Sequence, residues 1–213
     1  LTNSKGTSCN AGYAFAVTSL LESKVDTNGE RLSVQMLLAD DSNHHCEGGE
    51  TFRAMKAAEE NGMVLENVLP FDESQQWHNV VGNVTRYKYE QPCLLLGSHM
   101  AEDSYYNIVE TTIPASTYIK QFLAKVGAVI VEVPVNRSFF FYKSGLYTPD
   151  CTNGTILGYQ PTVAVGYGMR NGDEIWILRN SFGIEWGIDG DFEMRSISLC
   201  GTFDYAFTFY KAI

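Results

Sequence analysis

Positive charge is in short supply in this 213-residue chain: 15 Lys and Arg stand against 25 Asp and Glu, a formal net charge of -10. Such a surface repels polyphosphate and anionic lipid, so it predicts neither nucleic acid nor membrane as a partner. Long hydrophobic runs are missing too. The longest, Gly127 to Val135, is broken by Glu132 and Pro134, and it falls far short of the roughly 20 residues that span a bilayer. There is no repeat, heptad or low-complexity stretch, which removes solenoids and coiled coils from consideration. Histidine is sparse, and His44, His45, His78 and His99 all lie in the first half. The opening residues, Leu1-Thr2-Asn3-Ser4, form neither a basic n-region nor an apolar h-region, so the expectation is an excised domain whose signal peptide lies upstream or has been removed.

What is present suits a folded domain. With 45% hydrophobic residues the chain can bury one substantial core, or two lobes sharing one. Five cysteines together with N-x-[ST] sequons at Asn83, Asn136 and Asn153 point to an oxidising, glycosylating route: secretion, or the lumen of the secretory, vacuolar or lysosomal system.

The apolar period changes along the chain. Tyr13, Ala14, Val17, Leu20 and Leu21 share one helical face, and Asp26-Thr27-Asn28-Gly29 ends that pattern with turn chemistry. Ser33 is placed to cap a short helix over Val34 to Leu38. A third helix is predicted from about Glu50 to Asn61, with Phe52, Met55, Ala57 and Ala58 inward and Gly62 as its C-terminal cap. Residues 72 to 112 read as a crossing with little regular structure. A helix from about Ala115 to Val126 then closes on Gly127, burying Ile119, Phe122 and Leu123. Beyond it the period becomes two: strands are predicted at Ala128 to Val135, Thr162 to Tyr167, Glu174 to Arg179, Phe192 to Arg195 and Ala206 to Tyr210. Helices first and an antiparallel sheet second make the class α+β, with a cleft between lobes as the natural ligand site.

Four segments, in order, carry a specific resemblance. Cys9-Asn10-Ala11-Gly12-Tyr13-Ala14-Phe15 parallels the signature C-G-[SA]-C-[WY] followed by Ala-Phe. Cys46-Glu47-Gly48-Gly49 supplies a Cys-x-Gly-Gly turn. Val165-Gly166-Tyr167-Gly168 supplies a strand ending in Val-Gly-Tyr-Gly. Asn180-Ser181-Phe182-Gly183 with Trp186-Gly187 stands for Asn-Ser-Trp-Gly followed by Trp-Gly. Taken together, the chain resembles the papain-like cysteine proteases. The resemblance implies one papain-like domain of two lobes, a helical left lobe over 1–110 and a β-barrel-like right lobe over 111–213, with a peptide groove between.

The same resemblance implies that the chemistry is missing. The family sets a thiolate at the start of its first helix against an imidazolium from the opposite lobe. The matching positions here are Gly12 and, six residues before Gly166, Gln160. Asn180 remains where an amide would orient the imidazole. The oxyanion glutamine is replaced by Lys5 or by Gly6, depending on one inserted residue. Moving the nucleophile onto Cys9 would break the anchors on both sides of it, and Gln160 to Gly166 contains no histidine in any register. By the same comparison Cys9 pairs with Cys46 and Cys151 with Cys200, leaving Cys93 as a buried thiol or a partner for another chain.

The expectation is therefore a pseudoprotease: an inactive homologue, needing no cofactor and no metal, whose groove holds a peptide or protein ligand. The groove residues implied are Gly48, Gly49, Pro161, Phe182, Trp186 and Tyr205. Phe182, Trp186 and Tyr205 have an alternative reading as core aromatics, and for Trp186 the two readings weigh equally. His44-His45 borders the groove but offers two ligands, not a closed metal site. Two rivals stay open: an active peptidase using Cys93 or Ser8 with His44 or His45, and a surface domain with no ligand.

Overall fold

Helical spacing of apolar residues fixes the first element. In a computed structural model that describes residues 9–72, 83–95, 108–109, 115–196, 200, 202 and 206–209, helix α1 spans Gly12–Glu22 and buries Tyr13, Ala14, Val17, Leu20 and Leu21. The chain then reverses where Asp26 Oδ1 accepts from the Asn28 amide at 2.9 Å, and Asn28 and Gly29 take positive φ. The Ser33 hydroxyl accepts from the Met36 amide at 3.2 Å and so caps α2, Val34–Leu38. Helix α3, Thr51–Asn61, buries Phe52, Met55, Ala57 and Ala58 and stops at Gly62, whose φ is 69°. The three helices enclose one apolar cluster, which also takes in Ile130, Val163, Phe207 and Phe209 from the sheet.

The remaining elements are β1 (Pro92–Leu95), β2 (Ile108–Val109), α4 (Ala115–Lys125), β3 (Val129–Val135), β4 (Leu146–Tyr147), β5 (Gly158–Arg170), β6 (Asp173–Arg179), β7 (Asp191–Arg195) and β8 (Ala206–Phe209). The eight strands form one sheet in the order β2-β1-β8-β3-β5-β6-β7-β4. Its spine is antiparallel: β5 pairs with β3 on one side and β6 on the other. The outer pairs depart from that expectation, since β1 with β2 and β4 with β7 run parallel. The stretch read as an unstructured crossing contains β1 and β2, and β4 was unforeseen. Two to four residues are too few to display a period of two. β1 is hydrogen-bonded into the sheet against β8, with Pro92 opposite Phe209.

A second core fills the sheet's other side. Phe139, Tyr142, Tyr147, Trp186 and Phe192 pack edge to face or tilted there, with Trp176 and Met194 beside them. Two disulfides are formed, Cys9 to Cys46 and Cys151 to Cys200, as the resemblance implied. Cys93 is buried and unpaired. Lys5, Gly6, Ser8, His78, His99 and Tyr205 lie outside the described residues.

Candidate functional site

Five segments converge on a cleft of about 400 Å3: the start of α1, the Gly48-Gly49 turn, the start of α3, the β3–β5 ladder and β8. The Cys9–Cys46 bridge brings the first two together, and the Asn10 amide donates to the Cys46 carbonyl at 2.9 Å beside it. Gly12, Gln160, Gly48, Gly49 and Pro161, expected at the groove, all line this cleft.

Gly12 is the first residue of α1, at the helix end that favours negative charge. A Cβ built on it would stand 2.9 Å from Gln160 Nε2 and 3.3 Å from Oε1. The end of the Gln160 side chain therefore occupies the space a side chain at position 12 would need. That amide donates to the Pro161 carbonyl at 3.3 Å and to Ser181 Oγ at 3.5 Å. A carboxamide neither accepts nor releases a proton near neutral pH, so this pair has no acid, base or nucleophile. Asn180 is 2% exposed. Its Oδ1 accepts from the Ser181 amide at 2.8 Å, while its Nδ2 is buried with no hydrogen-bond partner among the described residues.

The two glycines of the turn have separate reasons. Gly48 has φ 104°, a conformation that side chains disfavour. At Gly49 the constraint is contact: a Cβ would lie 2.7 Å from Asn43 Oδ1 and 2.8 Å from the Tyr13 ring. The turn is thus packed against α1 from behind while its front faces the cleft.

Phe182 and Trp186 do not join this lining. Trp186 is 1% exposed, and its indole donates to the Phe139 carbonyl at 3.1 Å inside the second core. Phe182 stacks on Phe140 at 5.8 Å. Burial of Trp186 in the aromatic cluster corrects the expectation that it floors the groove, while Phe182 is half-buried at the edge of that cluster. His45 is turned elsewhere: its Nδ1 lies 2.5 Å from the Leu38 carbonyl and its Nε2 3.6 Å from Asp41. Cys93 is 5% exposed, its thiol donates to the Thr208 carbonyl at 3.4 Å, and burial pushes its pKa up to about 11.

Sequence reasoning missed several walls of the cleft, among them Asn10, Thr51, Glu132, Tyr159 and Phe207. Only Glu132 had left a signal, as the one acid inside an apolar strand. Its carboxylate accepts from Thr51 Oγ1 at 3.1 Å. Burial raises its pKa, the Thr51 bond lowers it, and the charge of Glu50 adds to the rise.

The description "Papain family cysteine protease" matches residues 2–209. The chain belongs to the papain family. Similar papain-family proteins include cysteine proteinase 3 of Entamoeba histolytica, 29% identical over 201 residues covering 91% of this chain and 59% of the relative. Mouse pro-cathepsin H is 29% identical over 208 residues, 91% of this chain and 56% of the relative. Oryzain gamma chain of Oryza sativa subsp. japonica is 29% identical over 202 residues, 91% and 51%. The chain thus spans between half and three fifths of the length of these relatives. Among solved structures, a digestive procathepsin L2 proteinase from Tenebrio molitor larval midgut superposes with TM-score 0.79 at 23% identity, covering 98% of this chain and 64% of that one. A likeness at that identity speaks to the fold, which is the α+β papain fold with its two lobes.

Proposed function

We propose that this papain-family domain is a catalytically inactive homologue that binds a peptide segment or protein partner in its inter-lobe cleft without cutting it. The observation that supports it is the Gln160 amide resting where a side chain at Gly12 would stand. Papain-type proteolysis needs a thiolate at the first position and an imidazole at the second, and neither residue type is there. In a comparable triad, loss of the nucleophile or of the base alone removes on the order of 10⁶ in turnover.

Purified protein incubated with a broad peptide library, followed by mass spectrometry, is expected to leave every peptide intact. Cleavage that persists after repurification to homogeneity would overturn the reading. Against a hydrolase built on Cys93 stand its burial, its raised pKa and the engagement of the His45 ring with Leu38 and Asp41. Two disulfides favour an oxidising destination, secreted or luminal, and no helix among the described residues is long and apolar enough to cross a membrane.

A further inference from the structure

We infer that the cleft selects a ligand carrying a lysine or arginine side chain, with Glu132 of β3 as the counter-ion. This rests on the reading of the cleft as a binding groove and adds what it binds. The strand register puts the carboxylate there. Ile130 sits opposite Val163 and Glu132 opposite Pro161, so alternation places Glu132 on the same face as Ile130. That face looks toward the helical lobe, because Ile130 and Val163 belong to its core. An acid at such a position is half-buried and turned into the cleft, where it is one of the lining residues.

The carboxylate is incompletely compensated. Its hydrogen bond comes from a neutral hydroxyl, Thr51 Oγ1, and the charged group that acts on it is another acid, Glu50. Glu50 itself is matched by Arg53 at 2.9 Å. Glu59, Glu174, Asp191 and Glu193 each hold a Lys or Arg, but among the described residues none holds Glu132. A half-buried carboxylate gains from such a partner, because an unpaired charge is unfavourable to the extent that it is withdrawn from water. The walls suit one supplied from outside: Pro161, Tyr159 and Phe207 give apolar surface for the methylene stem of a long basic side chain. A net charge of -10 draws cations toward the molecule as a whole.

The test uses a series of acetylated, amidated hexapeptides of alanine in which a single Lys, Arg, norleucine, Gln or Glu is walked along the sequence. Binding is read by isothermal titration and by NMR shifts of the protein. The Lys and Arg peptides are expected to bind about tenfold or more tightly than the norleucine peptides, as for a charge-assisted contact away from water. Glu132→Gln, which keeps the side-chain shape, is expected to flatten the series. Binding without a cation preference, or a preference that survives in Glu132→Gln, overturns the inference and leaves the groove reading intact. If no peptide binds the unaltered protein at millimolar concentration, the groove reading falls and this inference with it.

Discussion

A missing Cβ at position 12 and a carboxamide at position 160 together decide what the start of α1 can do. Their contact is between a backbone and the far end of a flexible side chain, so a new side chain at position 12 displaces Gln160 without disturbing the helix. Gly12→Cys alone is expected to fold normally and to show no peptide turnover, because among the described residues no base stands near the thiol. Adding Gln160→His supplies one. Fluorogenic peptide hydrolysis should then rise on the order of 10² or more above Gly12→Cys alone, the usual contribution of a positioned general base. A double variant as silent as the single would mean that Asn180, whose Oδ1 is held by the Ser181 amide, no longer orients a ring. Gly49 poses the opposite steric case. There the extra carbon meets Asn43 Oδ1, which is fixed by accepting from the Glu50 amide at 2.8 Å, and the buried Tyr13 ring. Gly49→Ala is expected to cost about 1–3 kcal/mol and lower Tm by roughly 2–10 °C in calorimetry.

At the scale of elements, the legible parts were those long enough to show a period. The 11-residue helices α1 and α3 each carry an apolar stripe at helical spacing, and β3, β5 and β6, at seven to thirteen residues, are long enough for strand-forming residues to stand out. β2 and β4, two residues each, have no pattern to display. The candidate site divides in the same way. Gly12, Gln160 and the Gly48-Gly49 turn were reached because their spacing to neighbouring residues of the family's motifs anchors them. Thr51, Tyr159 and Phe207 were not, because which faces of separate segments meet across a cleft is a tertiary fact that spacing does not carry. The disulfide between Cys9 and Cys46 is what holds two such segments, the start of α1 and the turn, in register. It closes a loop with a sequence separation of 37, so replacing both cysteines by serine should destabilise by about 4 kcal/mol on the chain-entropy account, read as a lower denaturation midpoint. Local structure also sorts the sequons. Asn136 is 9% exposed, and its Oδ1 accepts from both the amide and the hydroxyl of Ser138, whereas Asn83 and Asn153 are exposed. After expression in a glycosylating host, peptide mapping is expected to find Asn136 bare and glycan confined to the other two.

For the molecule as a whole, an acidic surface and a half-buried acid act in the same direction with pH. Net charge of -10 makes the compact state repel itself, and that repulsion eases as carboxylates protonate. Glu132 adds a specific contribution of the same sign. Its pKa in the folded protein is raised above the ordinary 4.5, chiefly by burial, so the native state holds a proton there more tightly than the unfolded chain does. The resulting stabilisation is complete below the unfolded value and is lost as pH rises through the raised one. Above that range the ionised carboxylate, acted on by the charge of Glu50 and supported among the described residues only by the Thr51 hydroxyl, weakens the fold. Glu22 is raised in the same direction by burial. Asp150 and Glu174 are lowered, but both lie at the surface, where solvent screens their effect. Calorimetry from pH 8 down to pH 4.5 should therefore show Tm climbing as the solution is acidified. Glu132→Gln removes the titrating group while keeping its bond to Thr51. The variant is expected to be more stable than the parent at pH 8, with the gap shrinking steadily toward pH 4.5. A gap that stays constant across that range would show that the carboxylate is already compensated in the folded protein, and with it would go the physical reason for the cleft to seek a cation.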